Sequence, residues 1–215
     1  MKIKPIIAAL GLAVVATPAM ADLKANIGVA SNYIWRGVTQ SADAAAVSGG
    51  VDYTHQSGFY AGTWVSNTTA NQYEHDIYGG YNFKAGQVDM DAGLIRYIYP
   101  IGSTGDNFNE IYLNAKYQQF GGGVALTLTK DHTSDKHDVY LYGSADFELK
   151  KDLTLNLLIG NYNYDAPNNA TYTDYTHFHA SLHKDDFSIA WDKNDLSGAA
   201  GDPRISVTWS KSLDL

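Results

Sequence analysis

The stretch Val139-Tyr140-Leu141-Tyr142-Gly143-Ser144-Ala145-Asp146-Phe147-Glu148-Leu149 alternates strictly between two chemistries. Val139, Leu141, Gly143, Ala145, Phe147 and Leu149 fall on one parity, and Tyr140, Tyr142, Ser144, Asp146 and Glu148 on the other. Successive side chains of a β-strand point to opposite faces, so the stretch predicts a strand with one apolar and one polar face. A tilted strand needs about 9–11 residues to cross a bilayer, whereas strands of soluble proteins have a mode of about 5–6. This one is long enough to span.

The same rhythm extends in both directions. Val88, Met90, Ala92 and Leu94 alternate with Gln87, Asp89, Asp91 and Gly93, and Ile111, Leu113 and Ala115 with Glu110, Tyr112, Asn114 and Lys116. Phe178, Ala180 and Leu182 alternate with His177, His179, Ser181 and His183, and Phe187, Ile189 and Trp191 with Asp186, Ser188, Ala190 and Asp192. About twelve such segments are predicted, near 23–35, 45–55, 58–67, 73–84, 87–99, 108–119, 122–132, 137–149, 152–164, 171–184, 186–194 and 203–213. Short turns at Gln56-Ser57, Ala85-Gly86, Phe120-Gly121, Lys150-Lys151 and Asp185 alternate with longer polar connections. Short periplasmic turns facing long extracellular loops are the pattern of outer-membrane barrels, and lipid tolerates no open sheet edge. The fold class expected is therefore all-β: a closed antiparallel transmembrane barrel of 10–14 strands in the outer membrane of a Gram-negative bacterium. The abundant aromatic residues are expected in belts at the membrane interfaces.

The N-terminus fits export. Lys2 and Lys4 precede an apolar run, Ile6 to Ala16, and Ala19-Met20-Ala21 has the small-x-small form of a cleavage site. The run is shorter than the roughly 20 residues of a membrane span. The expected division is a signal peptide over 1–21 and a barrel over 22–215. Cysteine is absent, which excludes disulfides, thiolate metal sites and cysteine nucleophiles. The formal charge of −8 and the lack of a basic run exclude a nucleic-acid partner. No phosphate-cradling glycine motif opens a helix, and no cofactor is expected.

With the apolar faces toward lipid, Asn26, Asp52, Asp76, Asn82, Asp89, Asp91, Glu110, Asn114, Lys116, Asp146, Glu148, His177, His179, His183 and Asp192 are assigned to the interior or its rims. Such an interior is either a wet channel, which its acidic excess would bias toward cations, or a network in which Lys24, Arg36, Lys116 and Arg204 neutralise the acids and close the middle. Three histidines share one strand face, His177, His179 and His183, at about 6–7 Å intervals. That spacing suits polar wall residues better than one metal ion, and no metal is expected. Ser181 stands between His179 and His183, and a Ser–His–acid set would take Asp146 or Glu148 as its acid, given contact geometry that sequence does not supply. Enzymatic activity is not expected. Asp131, Asp135 and Asp138 with Lys130 and Lys136 read as a solvated outer loop.

The run Ser31-Asn32-Tyr33-Ile34-Trp35-Arg36-Gly37-Val38-Thr39-Gln40-Ser41 is distinctive. It is followed by Gly49-Gly50-Val51-Asp52-Tyr53, Ser57-Gly58-Phe59-Tyr60-Ala61-Gly62, Trp64, Ser66-Asn67, Glu74, Asp76 and Tyr78-Gly79-Gly80-Tyr81. Over these first hairpins the sequence resembles the TorF family of porin-like exported bacterial proteins; the remainder agrees in length and rhythm. The resemblance implies an outer-membrane barrel with a pore and carries over no established solute or catalytic residue. From the residues themselves, Tyr33 and Trp35 are expected to end the first strand in an aromatic belt. Arg36 then either pins the first long loop to a carboxylate such as Asp52 or Glu74, or lines the pore mouth. The function expected is a channel for passive diffusion of small hydrophilic solutes or ions, with weak cation preference. The alternative is a closed structural or adhesive barrel acting through its loops. Lipid is the expected surrounding partner.

Overall fold

The computed structural model describes residues 22–69, 72–100, 107–131, 137–165 and 173–215. The proposed signal peptide, and with it Asp135 and Lys136, lies outside the described residues. Twelve long strands close into one antiparallel barrel: β1 (Asp22–Ala30), β4 (Ala46–Thr54), β5 (Phe59–Asn67), β6 (Tyr73–Ala85), β7 (Val88–Ile98), β8 (Phe108–Tyr117), β9 (Phe120–Lys130), β10 (Val139–Lys150), β11 (Leu153–Asn163), β12 (Tyr175–Lys184), β13 (Phe187–Asn194) and β14 (Arg204–Asp214). Two short strands, β2 (Ile34–Trp35) and β3 (Val38–Thr39), form a separate miniature hairpin, and a 3₁₀ turn covers Gly198–Gly201. Neighbours in sequence pair with one another, and β1 closes the ring on β14 with Lys24 opposite Asp214 and Ala30 opposite Thr208.

The outward parity is apolar and exposed, as at Ile77, Leu113, Leu141, Leu157, Ile189 and Val207. A soluble protein would bury this set; a ring of twelve strands presenting it outward is a transmembrane barrel, in which lipid replaces a second layer. The aromatic residues divide. Tyr53, Phe59, Tyr81, Phe83, Tyr117, Phe120, Phe147 and Phe187 are exposed near the short-turn end, forming one interface girdle. Tyr60, Tyr97, Tyr140, Tyr162 and Tyr175 are buried inside instead. Inward-facing rings, Tyr60 and the half-buried Tyr78 and Tyr112 among them, lie over glycines on the adjacent strand. Gly62 stands opposite Tyr78, and a Cβ there would meet its ring at 2.5 Å; Gly80 and Gly93 are covered in the same way by Tyr60 and Tyr112. These glycines therefore make room for rings as well as allowing curvature.

The first strand departs from expectation. It ends at Ala30, and residues 31–45 leave the barrel wall, so Tyr33 and Trp35 do not join a lipid-facing belt. The turns after β6, β8 and β10 sit at Gly86-Gln87, Gln118-Gln119 and Lys151-Asp152, each within about two residues of its predicted place.

Candidate functional site

The first long loop folds inward. Its ends are tied at the rim, where Asn32 Nδ2 donates to Asp43 Oδ1 at 2.7 Å, Thr39 Oγ1 donates to Asn32 Oδ1 at 2.7 Å, and Ser41 Oγ donates to the Ala44 carbonyl at 2.6 Å. From there β2 and β3 descend, with Ile34 opposite Thr39 and Trp35 opposite Val38. The reversal between them places Arg36 at φ 48° and Gly37 at φ 79°, a pair of left-handed residues as two-residue hairpins require. A left-handed non-glycine residue costs roughly 1–2 kcal/mol, so Arg36 needs compensating contacts.

It has them. The Arg36 guanidinium donates Nη1 to Glu110 Oε1 at 2.9 Å and Nη2 to Glu110 Oε2 at 2.7 Å, a fork-to-fork pair. Its central carbon lies 4.2 Å from the ring centroids of Trp35 and of Tyr140 and 5.3 Å from that of Tyr162. Side-chain exposure is 10% for Arg36 and 2% for Glu110, so the pair is shut off from bulk water. A bulge supports the carboxylate: Asn109 pairs Thr129 but Glu110 pairs Thr127, leaving Leu128 extra, and Thr127 Oγ1 faces Glu110 Oε1 at 3.4 Å. At the tip, Asn194 Nδ2 donates to the Gly37 carbonyl at 2.8 Å, and His177 lies so close that a Cβ on Gly37 would meet its Cβ at 2.5 Å. Only glycine fits that crossing.

Arg36 therefore pins the loop, but to Glu110 rather than to Asp52 or Glu74. Glu74 instead accepts from Tyr33 Oη and Tyr99 Oη, both at 2.7 Å, and Asp52 accepts from Asn26 Nδ2 at 3.0 Å and from Tyr78 Oη. Deeper in the barrel, Asp91 accepts from Tyr60 Oη at 2.6 Å and Asn114 Nδ2 at 3.1 Å. Toward the short-turn end Lys116 pairs Asp146 at 2.7 Å with both side chains more than a third exposed, so water reaches this level. Lys84 pairs Asp89 there, and Glu148 is exposed near the turn. Of the cations expected to close the middle, Lys24 pairs Asp22 and Asp214 at one end, and Arg204 pairs Asp43 at the other. Asp138, expected in a solvated loop, is buried and paired with Lys130 at 2.6 Å; Asp131 holds Arg96 at the rim.

Along β12 the inward face carries a hydrogen-bonded chain. Asp192 Oδ1 lies 2.8 Å from His179 Nδ1, His179 Nε2 lies 2.9 Å from Ser181 Oγ, and Ser181 Oγ lies 2.8 Å from His183 Nε2. With both rings neutral, one consistent assignment has His179 donating Nδ1–H to Asp192 and accepting the Ser181 proton, and His183 donating Nε2–H to the Ser181 oxygen. His183 Nδ1 is buried and has no partner among the described residues. Sequence spacing placed Ser181 between the histidines, but the acid on His179 is Asp192 rather than the expected Asp146 or Glu148, and Asp146 is held by Lys116 and Asn156 instead.

A family model described as a bacterial protein of unknown function (Gcw_chp) matches residues 15–194. The chain belongs to this family. Among solved structures, this Gcw_chp protein superposes on the NanC porin with a TM-score of 0.53 at 14% identity, covering 88% of this chain and 97% of that one. It also superposes on a chain from work on in-meso crystallization of membrane proteins, with a TM-score of 0.58 at 9% identity, covering 90% and 83%. Both likenesses concern the barrel fold. No curated protein matches the Gcw_chp chain in sequence.

Proposed function

We propose that this Gcw_chp protein is a narrow outer-membrane channel for passive diffusion of small hydrophilic solutes or ions, weakly cation-preferring, and constricted where its first loop enters the barrel. The TorF resemblance over the first hairpins belongs to the same reading, as does export with cleavage after Ala21. The observation that carries it is the uncompensated acid of the interior. Asp52, Glu74, Asp76 and Asp91 have no Lys or Arg within 4.0 Å among the described residues; Asp52, Glu74 and Asp91 are held by tyrosine and asparagine donors, and Asp76 shares a hydrogen bond with Glu74. A wall of this kind concentrates cations when wetted. Asp76 Oδ1, Asn82 Oδ1, His177 Nδ1 and His183 Nδ1 are buried without protein partners among the described residues, and buried polar atoms of this kind call for water.

The Asp192–His179–Ser181–His183 chain is read as wall structure, not as a hydrolase. Ser181 is 2% exposed with histidine on both sides, and the surrounding backbone pairs in the β11–β12–β13 ladder, so among the described residues no spare N–H pair faces it to hold an oxyanion.

A second reading, a closed barrel acting through its loops, draws on the burial around Arg36 and Glu110. Single-channel recording of the refolded chain 22–215 under a salt gradient separates the two. Steady conductance steps with a cation-selective reversal potential are expected. A folded, heat-modifiable barrel that passes no current overturns the channel.

A further inference from the structure

The cage around Arg36 is a recognition site built by the barrel and filled by the protein's own loop. Glu110 comes from β8, Thr127 from β9, Tyr140 from β10 and Tyr162 from β11; Arg36 and Trp35 arrive from the loop. The barrel part also has bonds of its own, made without the loop. Tyr140 Oη lies 3.0 Å from His177 Nε2, Tyr162 Oη donates to Asp138 Oδ2 at 3.5 Å, and Thr127 backs Glu110. A buried carboxylate with both oxygens presented edge-on, flanked by aromatic faces, matches one chemistry closely: a planar monocation with paired N–H donors and exposed π-faces. Guanidinium has that shape. Lys or sodium would satisfy the charge but neither the fork nor the stacking.

We propose that this cage is a binding site for free guanidinium-type cations, and that Arg36 is its tethered competitor. The transport consequence, that the channel favours solutes carrying such a group, rests on the channel reading above; the binding itself does not. Tethering on a short loop gives Arg36 an effective concentration in the millimolar range or above. A free guanidinium must exceed that to displace it, whereas a chain lacking Arg36 presents the cage open.

The test uses the refolded chain 22–215 in detergent micelles, with guanidinium chloride as the probe. Sodium chloride controls for charge and urea for the same planar shape without charge. In Arg36→Ala, guanidinium at roughly 10 mM is expected to raise the unfolding temperature by about 2–4 °C over equal sodium, with urea inert. Arg36→Ala/Glu110→Gln is expected to lose that difference, and the unsubstituted chain to need at least tenfold more guanidinium. Equal responses to guanidinium and sodium in Arg36→Ala, or an undiminished response in the double variant, overturn the site. If Arg36→Ala does not refold, Arg36→Gln replaces it, which leaves no tethered cation in the cage: a guanidinium-specific rise supports the site and its absence overturns it. Bilayer recording in guanidinium chloride separates the two readings. A thermal shift without current keeps the cage and removes the channel, and current without a shift does the reverse.

Discussion

At the scale of single residues, the decisive object is a charge taken out of water with its partner. Arg36 and Glu110 are 74 residues apart in sequence and meet as a fork-to-fork pair in a site almost free of solvent. The worth of such a pair is small compared with the cost of breaking it, because the survivor stays buried and unpaired. Glu110→Ala is therefore expected to destabilise the folded barrel by about 3–5 kcal/mol in urea titration of the refolded chain. Removing both partners together is expected to cost less than Glu110→Ala alone. Residue-level logic also explains what could not be read in advance. Tyr33, Trp35 and Arg36 follow a strand, and aromatic residues at a strand end ordinarily mark a lipid interface. Nothing local names Glu110 as the partner of Arg36. The usable hint was Gly37 after Arg36, a turn signal just past the predicted end of the strand, which allows the chain to reverse direction there.

Among the elements, strands were legible and the loop was not, for one physical reason. Period-two alternation is imposed by the bilayer on every strand, so β4 to β14 lie within a few residues of their predicted spans. A loop answers to distant partners instead. The same limit applies to the tyrosines: parity alone put Tyr140 and Tyr142 inside, but their nesting against glycines depends on the register of β9, β10 and β11. Gly93→Val is expected to displace the Tyr112 ring and to lower stability by about 1–3 kcal/mol, as overpacking does, while Gly86→Val tests turn geometry without touching any ring. The loop's outer anchor has a pH signature. Arg204 Nε donates to Asp43 Oδ1 at 2.6 Å and holds that carboxyl below the usual carboxylate range. A carboxyl with a depressed folded pKa adds stability above its unfolded pKa of about 3.9, and that contribution disappears as pH falls through the folded value. The protection of amides 39–44 from hydrogen exchange, corrected for the intrinsic rate, is therefore expected to fall below about pH 4, and Asp43→Asn to show the lowered protection already at neutral pH.

For the whole molecule, the membrane is the outer half of the core. Leu157 lies mid-strand in β11 on the outward face and Leu149 near the turn end of β10. Leu157→Arg is expected to cost about 2–4 kcal/mol in refolding into lipid vesicles, and Leu149→Arg about 0–1, following depth. Equal costs would argue against the bilayer placement. Charge selectivity belongs to this scale too, because no one carboxylate sets it. Asp52→Asn/Asp91→Asn is expected to bring the reversal potential closer to zero without changing the fold.

The docked loop spans the chain in another sense. Its tip rests on Glu110, His177 and Asn194, the last lying 157 residues beyond Gly37. Those supports stand on β8, β12 and β13, far along the chain from the hairpin that carries the loop. The loop can settle only once β8, β12 and β13 stand around it, so its seating is a late event in assembly and a natural sign that the ring is complete. An intermediate missing its last hairpins would hold a loop with an arginine and a tryptophan at its tip and nowhere to put them, which sets it apart, for any quality-control machinery that inspects nascent barrels, from a finished one.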